Sequence, residues 1–208
     1  VVEERGRTES VPIGKRNPLE ILRTLMAPLA IRHDSLPGLV GGAVGYIGYD
    51  FVRFIERLPS ALPDPLGLPL CNFYLASTML ICAHVKHKRL RVPVGAEDPQ
   101  GKRDEVFERL RQPLAPEWTT PRASKSRAQF VHEFPEADYK AAVLKAKEYI
   151  SIGDIFQVVL SQRASGEINV DPFQVYRALR ILNPSPYMFF LDFGEYQLVG
   201  SSPEIHAK

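Results

Sequence analysis

Cysteine is nearly absent from this chain: Cys71 and Cys82 are the only two among 208 residues. Two thiols cannot staple a small secreted scaffold, so the fold must rest on buried apolar surface in a reducing compartment. Long hydrophobic runs are lacking as well. No stretch approaches the roughly 18 to 20 apolar residues that span a bilayer, and the chain opens on Val1-Val2-Glu3-Glu4 without a methionine or a signal-peptide pattern. The reading is of a soluble, cytoplasmic protein. Neither sign of charge dominates: 26 Lys and Arg stand against 24 Asp and Glu, a net +2, which is no footprint for nucleic acid. The basic pieces KHKR at 86–89 and RASKSR at 122–127 have no aromatic residues between them on which bases could stack.

Phosphate-binding and metal-binding patterns are lacking too. GLVGGAVGYIGYD at 38–50 is rich in glycine but has no Gly-x-Gly-x-x-Gly spacing, and Gly14-Lys15 lacks the upstream glycine of a phosphate loop. His33, His84, His87, His132 and His206 are scattered. The close pair His84 and His87 flanks a turn with no carboxylate or thiolate nearby in sequence, which excludes a zinc site built from local spacing. No internal repeat is visible. Both ends read as cut, the second immediately after a strand signal.

What is present is a globular composition, 45% apolar and 24% charged, in a chain between one and two average domains long. Asn17-Pro18-Leu19-Glu20 predicts a helix start, with Leu22, Leu25, Met26 and Leu29 on one face. The glycine-rich segment predicts a strand that another backbone approaches closely. FYLASTMLICAHV predicts one long strand, folding back through KHK into RLRVPV as a hairpin. A surface helix is expected within 95–114, followed by a loose Pro-, Ser- and Arg-rich linker at 113–132 that separates an N-terminal part (1–112) from a second part (133–208).

The second part is more sharply written. Tyr139, Val143, Ala146 and Ile150 recur at helical spacing, and Gly153 is placed to end that helix in the left-handed conformation. A buried strand is expected over 155–163. Asp171-Pro172 predicts a helix whose Val175, Leu179 and Leu182 share a face, stopped by Asn183-Pro184. PYMFFLDF and YQLVG flank Gly194-Glu195 as a hairpin with a two-residue Gly-X loop. Hairpin pairing mixed with helices predicts an α+β fold with mostly antiparallel sheets.

Three pieces carry chemistry. Gln157 is a lone amide at the head of an apolar run, which reads either as a core amide satisfied by backbone partners or as a functional group. NPSPYMFFL at 183–191 frames Ser185 with two prolines, and VGSSPE at 199–204 ends on the carboxylate of Glu204. Together with DPFQVYRALR and, in the first half, GGAVGYIGYD and FVRFIERLP, these segments closely resemble the large subunit of anthranilate synthase, of the chorismate-utilising enzymes. The resemblance covers nearly all of the chain apart from the linker.

The resemblance implies two orthogonally packed antiparallel sheets wrapped by helices, and a reaction that takes chorismate and ammonia to anthranilate and pyruvate. It implies a glutamine amidotransferase partner that supplies the ammonia, and feedback inhibition by L-tryptophan. It places Glu204 as the general acid for the departing C4 hydroxyl. Gln157 matches a strand position where water-adding relatives carry a lysine base; an amide has no proton to lose, and ammonia needs no such base. Pro186, Tyr187 and Met188 match the wall of the tryptophan pocket, where an aromatic ring and a thioether suit an indole. The family's magnesium ion is expected to take its ligands outside this segment. The family's Leu-Glu-Ser segment and its elements after SSPE are not among the 208 residues, and Cys82-Ala83-His84 stands where Phe-Asp-His is common. Aminodeoxychorismate synthase, or a catalytically silent piece that still recognises tryptophan, are the alternatives.

Overall fold

Asn17 caps the first helix as its place before Pro18 predicts: its side-chain carbonyl accepts from the Leu19 amide at 2.9 Å. The computed structural model describes residues 2–4, 7–10, 12, 17–29, 41–59, 62–76, 78–83, 88–93, 101–119 and 128–205. Several expectations therefore lie outside the described residues: Gly14-Lys15, His33, residues 38–40, the turn with His84 and His87, residues 95–100, the stretch 120–127, and His206. The chain divides into two units, Val1–Pro113 and Leu114–Lys208.

In the first unit, β1 (Val2–Glu4) pairs with β2 (Arg7–Glu9), and helix α1 (Pro18–Met26) runs into a 3-10 turn at Ala27–Leu29. β3 (Ala43–Ile47) pairs antiparallel with β4 (Cys71–Leu75), putting Gly45 opposite Phe73. The close approach expected of the glycine-rich segment is found here. A Cβ at Gly45 would overlap the Asn72 carbonyl oxygen and lie 2.7 Å from the Phe73 Cα. Tyr46 ties this ladder further by donating its hydroxyl to the Pro69 carbonyl at 2.8 Å. A 3-10 helix at Tyr49–Phe54 follows and carries Phe51, 3% exposed and the one buried hydrophobic side chain among the described residues.

The single long strand expected after residue 72 is instead two. β4 gives way at Ala76, and β5 (Thr78–Ala83) takes a different partner, β6 (Lys88–Pro93), so the hairpin holds only for its second half. β4 is already occupied by β3, so β5 meets β6 instead. Helix α2 (Gly101–Arg111) forms as expected.

The second unit opens with the short helix α3 (Pro116–Thr119), whose Trp118 packs edge-on to Phe173 at 5.6 Å between ring centroids. β7 (Val131–His132) leads through Pro135 into helix α4 (Glu136–Ile152). Gly153 ends that helix at φ +87°, its amide bonding Ile150 while the Asp154 amide reaches Tyr149 at 3.0 Å. β8 (Ala164–Ser165) pairs with β7. Helix α5 (Pro172–Leu182) is capped by the Asp171 carboxylate, which accepts from the Phe173 amide at 2.8 Å. Its packed face is not the expected one: Val175 and Leu182 are exposed, and Phe173 and Tyr176 meet Phe190 instead, the first at 5.2 Å. The aromatic rings offer more contact area than the aliphatic stripe, so they set the rotation of the helix.

β9 (Tyr187–Asp192) and β10 (Gln197–Ser202) form the expected hairpin, turning at Gly194 with φ +83°. Every strand pair is antiparallel and helices separate several of them, so the fold is α+β. Among the described residues, no helix is long and apolar enough to cross a membrane.

The strand expected over 155–163 does not form. The segment is irregular, with Gln157 exposed, because the neighbour it meets among the described residues, β7, leaves it. β7 runs beside β8, the Glu133 amide still reaches the Arg163 carbonyl at 3.0 Å, and then Pro135 turns the chain away into α4. A strand without a neighbour has no ladder to hold it.

Candidate active site

The β9–β10 hairpin brings two of the three chemical motifs together. Its register sets Tyr187 opposite Ser202 and Met188 opposite Ser201, and Glu204 follows two residues after the ladder ends. The segment carrying Pro186, Tyr187 and Met188 and the SSPE motif are thus neighbours across one ladder, on the two arms of the hairpin. Two contacts fix this end of the hairpin. The Ser201 hydroxyl donates to the Asn183 carbonyl at 2.7 Å, joining β10 to the end of α5. The Ser202 hydroxyl and the Glu204 amide are 3.4 Å apart, which holds the backbone of Glu204 near the strand end. Pro186, Tyr187 and Glu204 are exposed and Met188 is half-buried.

Gly200 belongs to the same design. A Cβ there would run into the ring of Phe189, its neighbour on β9, so the aromatic side chain lies over the bare backbone.

One side chain of this region was not singled out by sequence reasoning. The Ser185 hydroxyl is buried and has no hydrogen-bond partner among the described residues. A buried orphan hydroxyl costs about 1–3 kcal/mol. The two flanking prolines gave no signal of this, since burial depends on what packs against the loop.

No hydrogen bond among the described residues joins Gln157 to the hairpin. It lies in the same unit, on an irregular run pinned at its far end by a cluster around Glu133. There the Glu133 carboxylate accepts from Ser165 and from Arg163, whose Nε lies 2.6 Å away, and the Gln162 amide reaches the Phe134 carbonyl at 3.5 Å. The Ser165 hydroxyl, and then the Arg163 guanidinium, hold the Glu133 carboxyl below its ordinary range.

A carboxyl whose folded pKa is lowered adds stability above its unfolded pKa, about 4.3, and that stability is lost as pH falls through the folded value. Glu133→Gln is therefore expected to melt below the parent at neutral pH, with the gap closing as pH drops below about 4. Circular dichroism melts across that range check this; a gap that stays constant down to pH 3 would assign the difference to shape rather than charge.

Among the described residues, no three His, Cys, Asp or Glu side chains gather to hold a metal ion. Cys71 and Cys82 are free thiols, and burial pushes the Cys71 thiol up.

These features, an α+β unit whose hairpin ends on Ser201-Ser202-Pro203-Glu204 beside a proline-framed aromatic strand, define a class. The profile of the chorismate binding enzymes matches residues 3–208, and the chain belongs to that family. Within it, the chain is similar to anthranilate synthase component 1 of Acetivibrio thermocellus, 39% identical over 99% of this chain and 44% of that protein. The component 1 of Thermus thermophilus is 46% identical over 91% of this chain and 41% of its own length. The crystal structure of anthranilate synthase component I from Streptococcus pneumoniae TIGR4 superposes with a TM-score of 0.76 at 34% identity, covering 91% of this chain and 44% of that one. The chain thus spans about two fifths of the length of the relatives it matches.

Proposed function

We propose that this chain is part of an anthranilate synthase component 1, which converts chorismate and ammonia to anthranilate and pyruvate and is inhibited by L-tryptophan. Ammonia reaches it from glutamine through a partner amidotransferase subunit. One observation supports this reading above others. The hairpin sets Tyr187 and Met188 against Ser202 and Ser201, with Glu204 two residues on, in a chain 39% and 46% identical to proteins of that name.

In the reaction, ammonia bonds to ring C2 as the C4 hydroxyl departs. Glu204 delivers the proton that lets the hydroxyl leave as water. The enolpyruvyl group then leaves as pyruvate with loss of the C2 proton, and the ring becomes aromatic. Gln157 hydrogen-bonds substrate or ammonia without generating hydroxide, since an amide cannot act as a base in water. Pro186, Tyr187 and Met188 form an apolar wall for the indole of tryptophan.

The 208 residues alone are expected to make no anthranilate, because the chain spans about two fifths of the length of its relatives. The decisive assay supplies chorismate, magnesium and ammonium to the chain together with a polypeptide carrying the remaining length of the Thermus thermophilus relative. Anthranilate fluorescence supports the proposal; aminodeoxychorismate would reassign the product, and anthranilate from the chain alone would contradict the expected division.

In that assembly, Gln157→Lys is expected to depress turnover per folded molecule by about tenfold or more, by blocking the approach of ammonia and repelling ammonium. Gln157→Leu removes the hydrogen bond without adding charge. If both variants turn over normally per folded enzyme, judged beside a thermal melt, Gln157 has no part in the site.

A further inference from the structure

Helix α3 is a single turn, and so short a helix does not hold together in water unaided. Two contacts with α5 hold it. The Arg177 guanidinium donates to the Trp118 carbonyl at 2.8 Å, across 59 residues of sequence, and to the Gln174 side-chain carbonyl at 3.0 Å. The Trp118 carbonyl is one of those that a helix C-terminus leaves without an internal partner, and a half-buried guanidinium is a strong donor for it. The Trp118 ring then packs edge-on to Phe173 at 5.6 Å.

Phe173 is also the ring against which β9 rests. It meets Phe190 at 5.2 Å and stacks with Tyr176 at 5.5 Å, and Arg180 lies 5.9 Å from the Tyr176 ring. The chain between α5 and β9 is therefore anchored on α5 at both ends. At one end the Asn183 amide donates to the Leu179 carbonyl at 2.9 Å while the Asn183 carbonyl accepts from Ser201; at the other, Phe190 is seated on the helix. Residues 184–186 between these anchors belong to no ladder. The β9–β10 ladder moves as one piece and carries Glu204 with it, so a shift of α5 is taken up in the unpaired residues.

We propose that Trp118 and Arg177 are positioning residues for the tryptophan segment: by clamping α3 to α5 they fix the rotation of that helix and, through it, the geometry of Pro186, Tyr187 and Met188. They touch no ligand themselves. A wall that receives a rigid indole has to be held to within about 0.5 Å. A helix resting on its strand through one aromatic cluster can roll, and a second anchor on Phe173 opposes the roll. The proposal rests on the reading of Pro186, Tyr187 and Met188 as the tryptophan site.

The test measures tryptophan inhibition of anthranilate formation by Arg177→Met and Trp118→Ala, in the assembly with the remaining length of the Thermus thermophilus relative. The kcat, the KM for chorismate and a thermal melt are recorded beside it. The inhibition constant is expected to rise by about fivefold or more, with kcat and KM within about twofold of the parent. Arg177→Lys keeps a donor and Trp118→Phe keeps a ring, so both should retain most of the inhibition. A parent assembly that makes anthranilate but ignores tryptophan would overturn the reading of the site, and the proposal with it. A parent that is inhibited, with Arg177→Met and Trp118→Ala inhibited equally, would leave that reading standing and overturn the positioning role alone. Losses of kcat, inhibition and melting temperature in step would make the clamp a general support of the fold and overturn the proposal as well.

Discussion

Gly45→Ala is expected to cost the first unit about 3 kcal/mol or more, enough to lower its melting temperature by roughly 12 °C. The new methyl would overlap the Asn72 carbonyl oxygen, a backbone atom of the paired strand, so relief requires the β3–β4 ladder itself to part. No side-chain rotation can make room. Gly67 is the control. It adopts φ +60°, and nothing lies within 4 Å of an added Cβ, so Gly67→Ala carries only the backbone cost of about 1–2 kcal/mol. Thermal melts of the two variants check the ranking; equal losses would mean that the close approach at Gly45 relaxes without cost.

Glu204→Gln is expected to reduce anthranilate formation by about 10²–10⁴-fold in the assembly with the remaining length of the Thermus thermophilus relative. The amide keeps the shape of the side chain and its hydrogen-bonding reach but has no acidic proton to give the departing hydroxyl. Chorismate affinity should change far less than turnover, because the proton is needed in the transition state and not in the bound substrate. Glu204 is exposed, and the Ser202 contact constrains only its backbone, so the substitution leaves the hairpin intact. Turnover within a few-fold of the parent, with normal chorismate binding, would remove the carboxyl from its role as acid. Loss of binding with unchanged turnover at saturation would make it a substrate contact instead.

Much of the local structure was legible from the residues themselves. Asn17 and Asp171 before prolines, Gly153 after a helical stripe and Gly194 between two apolar strands each encode their element through a cap, a missing amide or a left-handed φ. The glycine-rich strand announced a close approach, and Gly45 has one. The motifs around Gln157, Tyr187 and Glu204 carried the family. For the caps and turns the determining interaction lies within a few residues along the chain; at Gly45 the missing side chain signalled an approach by a strand remote in sequence.

Tertiary structure decided what depends on neighbours. FYLASTMLICAHV has one composition but two ladders, because β4 is taken by β3 before β5 meets β6. The aliphatic stripe of α5 yields to Phe173 and Tyr176 because Phe190 is there to receive them. The Ser185 hydroxyl is buried without a partner among the described residues by the packing around its loop, which two prolines in a sequence do not reveal. Residues 155–163 show the limit most plainly. Their composition specifies a strand, but a strand exists only with a neighbour to complete its hydrogen bonds, and β7 departs into α4 at Pro135. Propensity is a property of the segment, whereas pairing belongs to whichever chain comes alongside.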